Sequence, residues 1–141
     1  MRMIVTQLIL SLLVWLGINT DYDIDVNLPN IVMIEPYNMC SAYGINDMGR
    51  CEAARLMGFY DKNTTIYLRT SFNKADIEDK SRLIHELVHY VQWSNGRHLT
   101  ECLGLLELEA YELQDQWRIE HGLEPVLDEF NKIILKASCD A

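Results

Sequence analysis

Two histidines four residues apart, with a glutamate directly after the first, are the residues whose types and spacing most clearly suggest chemistry. They are His85, Glu86 and His89, in the sequence HELVH. On a helix this spacing places both imidazoles on one face, with Cβ atoms about 5–6 Å apart, where they can bind one zinc ion. The neighbouring carboxylate can take a proton from a water molecule that zinc acidifies. The pattern predicts a zinc site with His85 and His89 as ligands and Glu86 as the general base.

Chance placement explains this pattern poorly. With 4 His and 11 Glu among 141 residues, random placement would produce it about 0.009 times. The alternative interpretation is a pair of exposed or core histidines on an ordinary helix. The apolar residues Leu87 and Val88, together with the helical pattern of the whole segment, favour the zinc site.

A catalytic zinc site needs a third protein ligand, which must come from elsewhere in the chain. A metzincin would have glycine at position 92 and histidine at position 95, and the chain has Gln92 and Asn95 instead. The chain also lacks the Gly-Thr-x-Asp segment that aspartate-ligated zincins use. The acidic second helix offers Glu107 and Glu109, and both lie near the edges of its apolar face. Amphipathicity leaves the choice between them open.

These motifs resemble those of the gluzincin metallopeptidases, in which a glutamate on a helix downstream of HExxH completes the site. The chain is most similar to small bacterial zincin-like domains with a HELVHxxQ helix and a later ExxAYxxQ helix, here 85–92 and 107–114. With the preceding strand, the resemblance covers about residues 55–117. It implies a zinc-dependent peptidase with His85, His89 and Glu107 as metal ligands. In other gluzincins the ligand directly precedes the alanine, which would select Glu109.

The resemblance also suggests roles for residues around the metal. The small Ala110 would let the second helix approach the first closely. Tyr111 stands where the family usually has an acidic residue, so no partner is assigned to orient His85 or His89. Tyr111 itself is either a donor to a ligand or substrate, or half-buried packing. His98 is either an oxyanion donor or substitute ligand, or an exposed loop residue.

In zincins an edge strand above the zinc helix pairs with extended substrate through main-chain hydrogen bonds. The resemblance makes Thr65–Arg69 the candidate for this strand. The expected substrate is therefore a peptide or a protein.

The elements that would position these residues follow an order of strands first and helices afterwards. The apolar segment 31–34 lies between prolines, and residues 55–60 and 64–70 flank a short polar turn, which predicts a β-hairpin. Capping and stop signals with apolar residues at helical spacing predict three helices, at about Asp76–Asn95, Glu101–His121 and Val126–Ala137. The order predicts an α+β fold. The resemblance makes it a small zincin-like domain, with a β-hairpin or short antiparallel sheet packed on the HExxH helix and a following ligand helix.

The N-terminus reads as a targeting segment. Arg2 precedes the largely apolar residues 3–18, which is typical of a signal peptide, although no small-residue cleavage site follows. The segment 1–19 is therefore interpreted as a signal peptide or an N-terminal membrane anchor, and 20–141 as the zincin-like domain. The alternative is a first helix of a soluble protein. An exported location, periplasmic or secreted, is expected, with attachment to the membrane through residues 3–18 as a variant of it.

Four cysteines agree with export. Because they are widely spaced and form no Cys-x-x-Cys pair, a cysteine zinc site is not indicated. Their even number suggests two disulfides, for which three pairings exist. Pairing Cys40 with Cys51 and Cys102 with Cys139 is preferred because each bond closes a local or terminal loop. Four reduced thiols are the alternative.

Composition bounds the remaining functions. The 141 residues suit one domain, and a net charge of −9 without a basic cluster argues against a nucleic-acid partner. The leading hypothesis is a zinc-dependent peptidase. A catalytically silent zincin-like module that binds zinc or a partner is the main alternative, and a membrane-anchored interaction domain without metal is a weaker one.

Overall fold

The computed structural model describes residues 2–35, 38, 58–61 and 65–139. Within these ranges the chain has the α+β fold that its sequence predicts, with a small sheet and helices that follow it. The elements are α1 (Arg2–Asn19), β1 (Asn30–Ile34), β2 (Gly58–Asp61), β3 (Thr65–Arg69), α2 (Ile77–Ser94), a 3-10 turn (Arg97–Leu99), α3 (Leu103–Glu120) and α4 (Glu129–Ala137).

The predicted hairpin is present. β2 and β3 pair antiparallel, with Gly58 opposite Leu68 and Asp61 opposite Thr65, and the turn between them lies outside the described residues. β1 adds to the other side of β3 in parallel, with Asn30 opposite Thr65. The described sheet is therefore mixed, in the order β1-β3-β2.

This order corrects the prediction that Thr65–Arg69 is the strand that pairs with substrate. β3 is the central strand, and its main chain is hydrogen-bonded to β1 on one side and to β2 on the other. A strand with both edges occupied cannot add an extended peptide. The sequence pattern of a hairpin predicts only β2 as a neighbour of β3. It does not predict β1, because β1 comes from a segment about thirty residues earlier in the chain.

The core lies where α2 meets the sheet, α1 and α3. The apolar residues of α2 recur at helical spacing, so they form one continuous buried face. Ile66 and Leu68 of β3 point to the same interior, and Ala110 and Trp117 of α3 pack into it. The buried residues of α2 in this core are Leu83, Ile84, Leu87, Val88 and Val91.

Local hydrogen bonds explain where α4 begins, but not where α2 begins. Asp76 precedes α2 as predicted, but its side chain makes no capping bond with the residues described. α4 starts at Glu129, later than predicted, because Asp128 accepts a hydrogen bond from the backbone N–H of Asn131 at 2.7 Å. The segment just before it is held in a non-helical form by Asp115, which accepts hydrogen bonds from the backbone N–H groups of residues 126 and 127.

α1 contributes one side to the common core. Leu12, Leu13 and Leu16 are buried against the rest of the domain, whereas Val14 and Ile18 are exposed. Among the residues that the structure describes, no helix has the length and apolarity to cross a membrane. The roles of 1–19 as a signal peptide or an anchor, and the exported location, stay predictions.

A disulfide joins Cys102, just before α3, to Cys139, just after α4. This is the pairing preferred for these two cysteines, whereas Cys40 and Cys51 lie outside the described residues. Gly104 allows the close approach of the two helices, because a Cβ atom there would lie 2.3 Å from the carbonyl oxygen of Leu135. The bond and the glycine together hold α4 against the start of α3.

Candidate metal centre

The predicted metal ligands meet at the contact between α2 and α3. The rings of His85 and His89 are 4.9 Å apart between centroids and inclined by 78°. Oε1 of Glu107, on α3, lies 2.7 Å from Nε2 of His85 and 3.3 Å from Nε2 of His89. The three side chains thus offer ligand atoms that all lie within 4.8 Å of one another. Residues 22 positions apart in the sequence converge on one point.

Helix packing brings Glu107 to this point. Ala110 is fully buried in the core, and its small side chain lets α3 lie close to α2. Glu107 lies almost one turn before Ala110, so its side chain points along the same contact. Glu109 points elsewhere and accepts hydrogen bonds from Nε2 of Gln92, at 2.9 Å, and from the hydroxyl of Tyr22. Of the two candidate glutamates, the structure brings Glu107 to the histidines.

Two buried glutamines hold the far sides of the imidazoles. Oε1 of Gln92 lies 2.9 Å from Nδ1 of His89, and Oε1 of Gln114 lies 3.0 Å from Nδ1 of His85. Their exposed fractions are 2 % and 5 %. Sequence reasoning missed this role, although Gln92 ends the HELVHxxQ motif and Gln114 ends the ExxAYxxQ motif. The available signal was their spacing, because Gln92 is three residues after His89 and Gln114 is seven after Glu107.

The ligand cluster favours separated charge. Burial raises the pKa of Glu107, but hydrogen bonds to His85 and His89 outweigh this effect and hold the pKa far below its usual range. Burial lowers the pKa of His89, yet the hydrogen bond and charge of Glu107 and the charge of Glu86 outweigh it and raise the pKa overall. The carboxylate is therefore ionised, and a positive charge beside it is stabilised.

The residues present fit a divalent metal. Two imidazole nitrogens and one carboxylate oxygen are the protein ligand set of many catalytic zinc sites, which keep a fourth position for water or substrate. All three atoms can carry a lone pair towards the same point, and a cation there would neutralise their mutual repulsion. The geometry therefore supports a metal centre, and His85, His89 and Glu107 would hold the ion.

Glu86 lies beside the cluster on α2 and is partly exposed. Burial raises the pKa of its carboxyl, the charges of His85 and His89 oppose the rise, and the charge of Glu107 adds to it. This carboxyl therefore binds a proton more readily than an exposed glutamate does.

The two remaining candidates have different surroundings. Tyr111 packs against the ligand cluster, with its ring centroid 4.5 Å from that of His85. His98 is exposed in the 3-10 turn, where its ring stacks on Trp93 with a centroid distance of 5.1 Å. Within the described residues, the structure does not bring His98 to the ligand group.

The chain matches the family described as Domain of unknown function (DUF6647) over residues 3–141, and it belongs to that family. The matched range includes α1 as well as the α2–α3 contact that carries the candidate metal centre. No curated protein and no solved structure matches the chain.

Proposed function

We propose that this member of the DUF6647 family is a zinc-dependent peptidase of the gluzincin type. His85, His89 and Glu107 would hold the zinc ion, and Glu86 would act as the general base. The observation that carries the proposal is the convergence of both Nε2 atoms on Oε1 of Glu107, at 2.7 and 3.3 Å. A structural zinc ion would need no carboxylate such as Glu86 next to its ligands, so the presence of Glu86 favours catalysis.

When bound, zinc supplies a Lewis acid that acidifies water and polarises a carbonyl group. Glu86 takes a proton from the attacking water as its oxygen bonds to the scissile carbonyl carbon. The same carboxyl then delivers the proton to the amide nitrogen as the C–N bond breaks, so that an amine leaves.

The substrate is a peptide or a protein chain. Because β3 is paired on both sides, an extended substrate would pair with the outer edge of β2, which is an edge strand among the described residues and contacts α2. Main-chain pairing there would lay the peptide beside the helix that carries Glu86.

The test combines metal analysis with cleavage of a peptide library by the wild type and Glu86→Gln. Glu112→Gln is the matched control, because Glu112 is an exposed glutamate on α3. We expect one zinc ion per chain in all three proteins. Cleavage should be equal in the wild type and the control and lower by about 10²–10⁴-fold in Glu86→Gln.

Two results would overturn the proposal in different ways. Stoichiometric zinc without cleavage that depends on Glu86 would leave a zinc-binding or interaction module. A purified chain that takes up no zinc when the metal is supplied would refute the metal centre itself.

A further inference from the structure

We propose that Gln92 and Gln114 each hold a hydrogen on Nδ1 of a metal-facing histidine, so that Nε2 is the ring nitrogen left to bind a metal. The inference rests on the metal centre of the proposed function, and it does not require peptidase activity. The two glutamines are then positioning residues, and the groups that orient their amides act on the histidines through them.

The orientation of Gln92 follows from what its amide nitrogen touches. Nε2 lies 2.9 Å from the carbonyl oxygen of Leu106 and 2.9 Å from Oε1 of Glu109. A carbonyl and a carboxylate accept hydrogen bonds, so the NH₂ group must face them, and a flipped amide would set oxygen against two oxygens. Oε1 of Gln92 therefore faces His89 and can only accept. The hydrogen in the 2.9 Å contact between them belongs to Nδ1 of His89.

The orientation of the Gln114 amide depends on its contact with the hydroxyl of Ser81. The single hydroxyl hydrogen of Ser81 is donated to the carbonyl oxygen of Glu78 at 2.9 Å. Arg118, which can only donate, points Nη1 at the Ser81 oxygen, also at 2.9 Å. Ser81 therefore presents a lone pair to Nε2 of Gln114, at 3.5 Å. This leaves Oε1 of Gln114 to accept from Nδ1 of His85 at 3.0 Å.

Arg118 is itself held in place. It pairs with Glu78 at 2.6 Å and donates from Nε to the carbonyl oxygen of Glu124, also at 2.6 Å. Its side chain is buried, so it cannot turn away into solvent without losing these bonds. The chain of contacts from Arg118 through Ser81 and Gln114 therefore ends at a defined hydrogen on His85.

The consequence is a site prepared for a cation. With both Nδ1 hydrogens donated to the glutamines, both Nε2 atoms face Oε1 of Glu107, and a cation would take the place of the Nε2 hydrogens that Glu107 accepts. Metal-ligating histidines generally donate their other ring N–H to an acceptor, often a carboxylate, and this hydrogen bond orients the ring. An amide gives the same orientation without adding a negative charge, so the metal would keep more of its Lewis acidity.

The first test measures zinc affinity by competition with a chelator. Gln92→Leu and Gln114→Leu remove the acceptor, and Gln116→Leu is the control because Gln116 is exposed on the same helix as Gln114. We expect each of the first two to weaken zinc binding by about 10–100-fold, as loss of a hydrogen bond to a ligand does. The control should bind as the wild type does. Equal affinities in Gln114→Leu and Gln116→Leu would overturn the inference.

A second pair of variants separates positioning from simple packing. Gln114→Glu keeps an acceptor for His85 beside Arg118 and Ser81, so zinc affinity should be retained. Gln92→Glu loses both donors and sets a carboxylate against Glu109 and the Leu106 carbonyl, so zinc affinity and stability should both fall. Tighter zinc binding by Gln92→Glu than by Gln114→Glu would contradict these amide orientations.

The hydrogens on Nδ1 can be observed directly in the wild type. Long-range ¹H–¹⁵N spectra of the metal-free chain should show a hydrogen on Nδ1 of both His85 and His89, and an unprotonated Nδ1 in either would refute the inference. This reading needs neither a folded variant nor cleavage. A chain with these hydrogens that cleaves no peptide would refute the peptidase alone.

Discussion

The α2–α3 contact and the C-terminal helix α4 are built in opposite ways. The α2–α3 contact buries polar side chains, among them Gln92 and Gln114, which are hydrogen-bonded to His89 and His85. α4 has no buried side chain over 129–137, and its apolar side is turned outward, with Phe130 69 % and Ile133 63 % exposed. It is attached mainly by the Cys102–Cys139 disulfide and by packing against α3.

This contrast shows two ways to position a helix. Buried side chains with satisfied hydrogen bonds keep their atoms in place to within about 0.5 Å, as a metal site requires. A disulfide and a few backbone bonds fix only where a segment lies. We therefore expect changes in the α2–α3 contact to alter metal binding and changes around α4 to alter stability alone.

The largest expected effect belongs to Glu107. Glu107→Gln should weaken zinc binding by more than the roughly 10–100-fold that loss of a supporting hydrogen bond costs, because it removes a charged ligand. The matched variant Glu109→Gln should bind zinc almost as tightly as the wild type, since an amide oxygen can still accept from Gln92 and Tyr22. Competition titration measures both. A larger loss in Glu109→Gln would show that the ligand had been misassigned.

The disulfide gives the next largest effect. Cys102→Ser combined with Cys139→Ser should lower the free energy of unfolding by about 2–4 kcal/mol, because the bond closes a loop with a sequence separation of 37. Denaturation by urea measures the loss. If α4 affects stability alone, zinc affinity in the same protein should stay within about twofold of the wild type. A tenfold change would show that α4 also affects the metal centre.

Asp115 should have a smaller effect of the same kind. It accepts hydrogen bonds from the backbone N–H groups of Val126 at 2.7 Å and Leu127 at 3.1 Å. Asp115→Ala should cost about 1–2 kcal/mol of unfolding free energy, because two bonds to a charged acceptor are lost. Asp115→Asn keeps one acceptor oxygen and should lose less. If zinc affinity fell with stability in both variants, the α4 attachment would not be separate from the metal centre.

The smallest effect is a pH dependence at Glu78. A hydrogen bond from Arg118 holds the pKa of Glu78 below its usual value, although burial opposes this. The unfolded chain then binds a proton more readily, so the stabilisation is present above the ordinary pKa of glutamate and is lost as the pH falls through the folded pKa. Glu78→Gln should be less stable than the wild type by about 1 kcal/mol at neutral pH, because Glu78 is partly exposed and Arg118 keeps its other acceptors.

In acid, below the folded pKa of Glu78, the two proteins should unfold at the same urea concentration. A difference that did not depend on pH would assign the effect to packing. Arg118 also contacts Ser81, so Glu78→Gln slightly perturbs the series of hydrogen bonds that leads to His85. Zinc affinity should change little.

The sequence was enough to predict the hairpin, the three helices that follow it and the residues that meet at the α2–α3 contact. The helix of His85 and His89, the hairpin and the Cys102–Cys139 pairing were all predicted, because periodicity, turn residues and loop closure are local properties of a chain. The start of α4 was placed too early. Asp115, eleven residues earlier, holds the backbone of the predicted first turn, and this interaction leaves no periodic signal.

The spacing of the histidines was sufficient to put them on one face, since a helix turns by the same angle at every residue. Which glutamate approaches them, which strand is central and which way each glutamine amide points depend on contacts between distant segments. Glu107 and Glu109 have the same chemistry and nearly equal helical amphipathicity, so only the packing of α3 on α2 distinguishes them. β3 is central because β1 returns to it from far away in the sequence. Such long-range contacts depend on the shape of the whole core, and a single sequence does not display that shape.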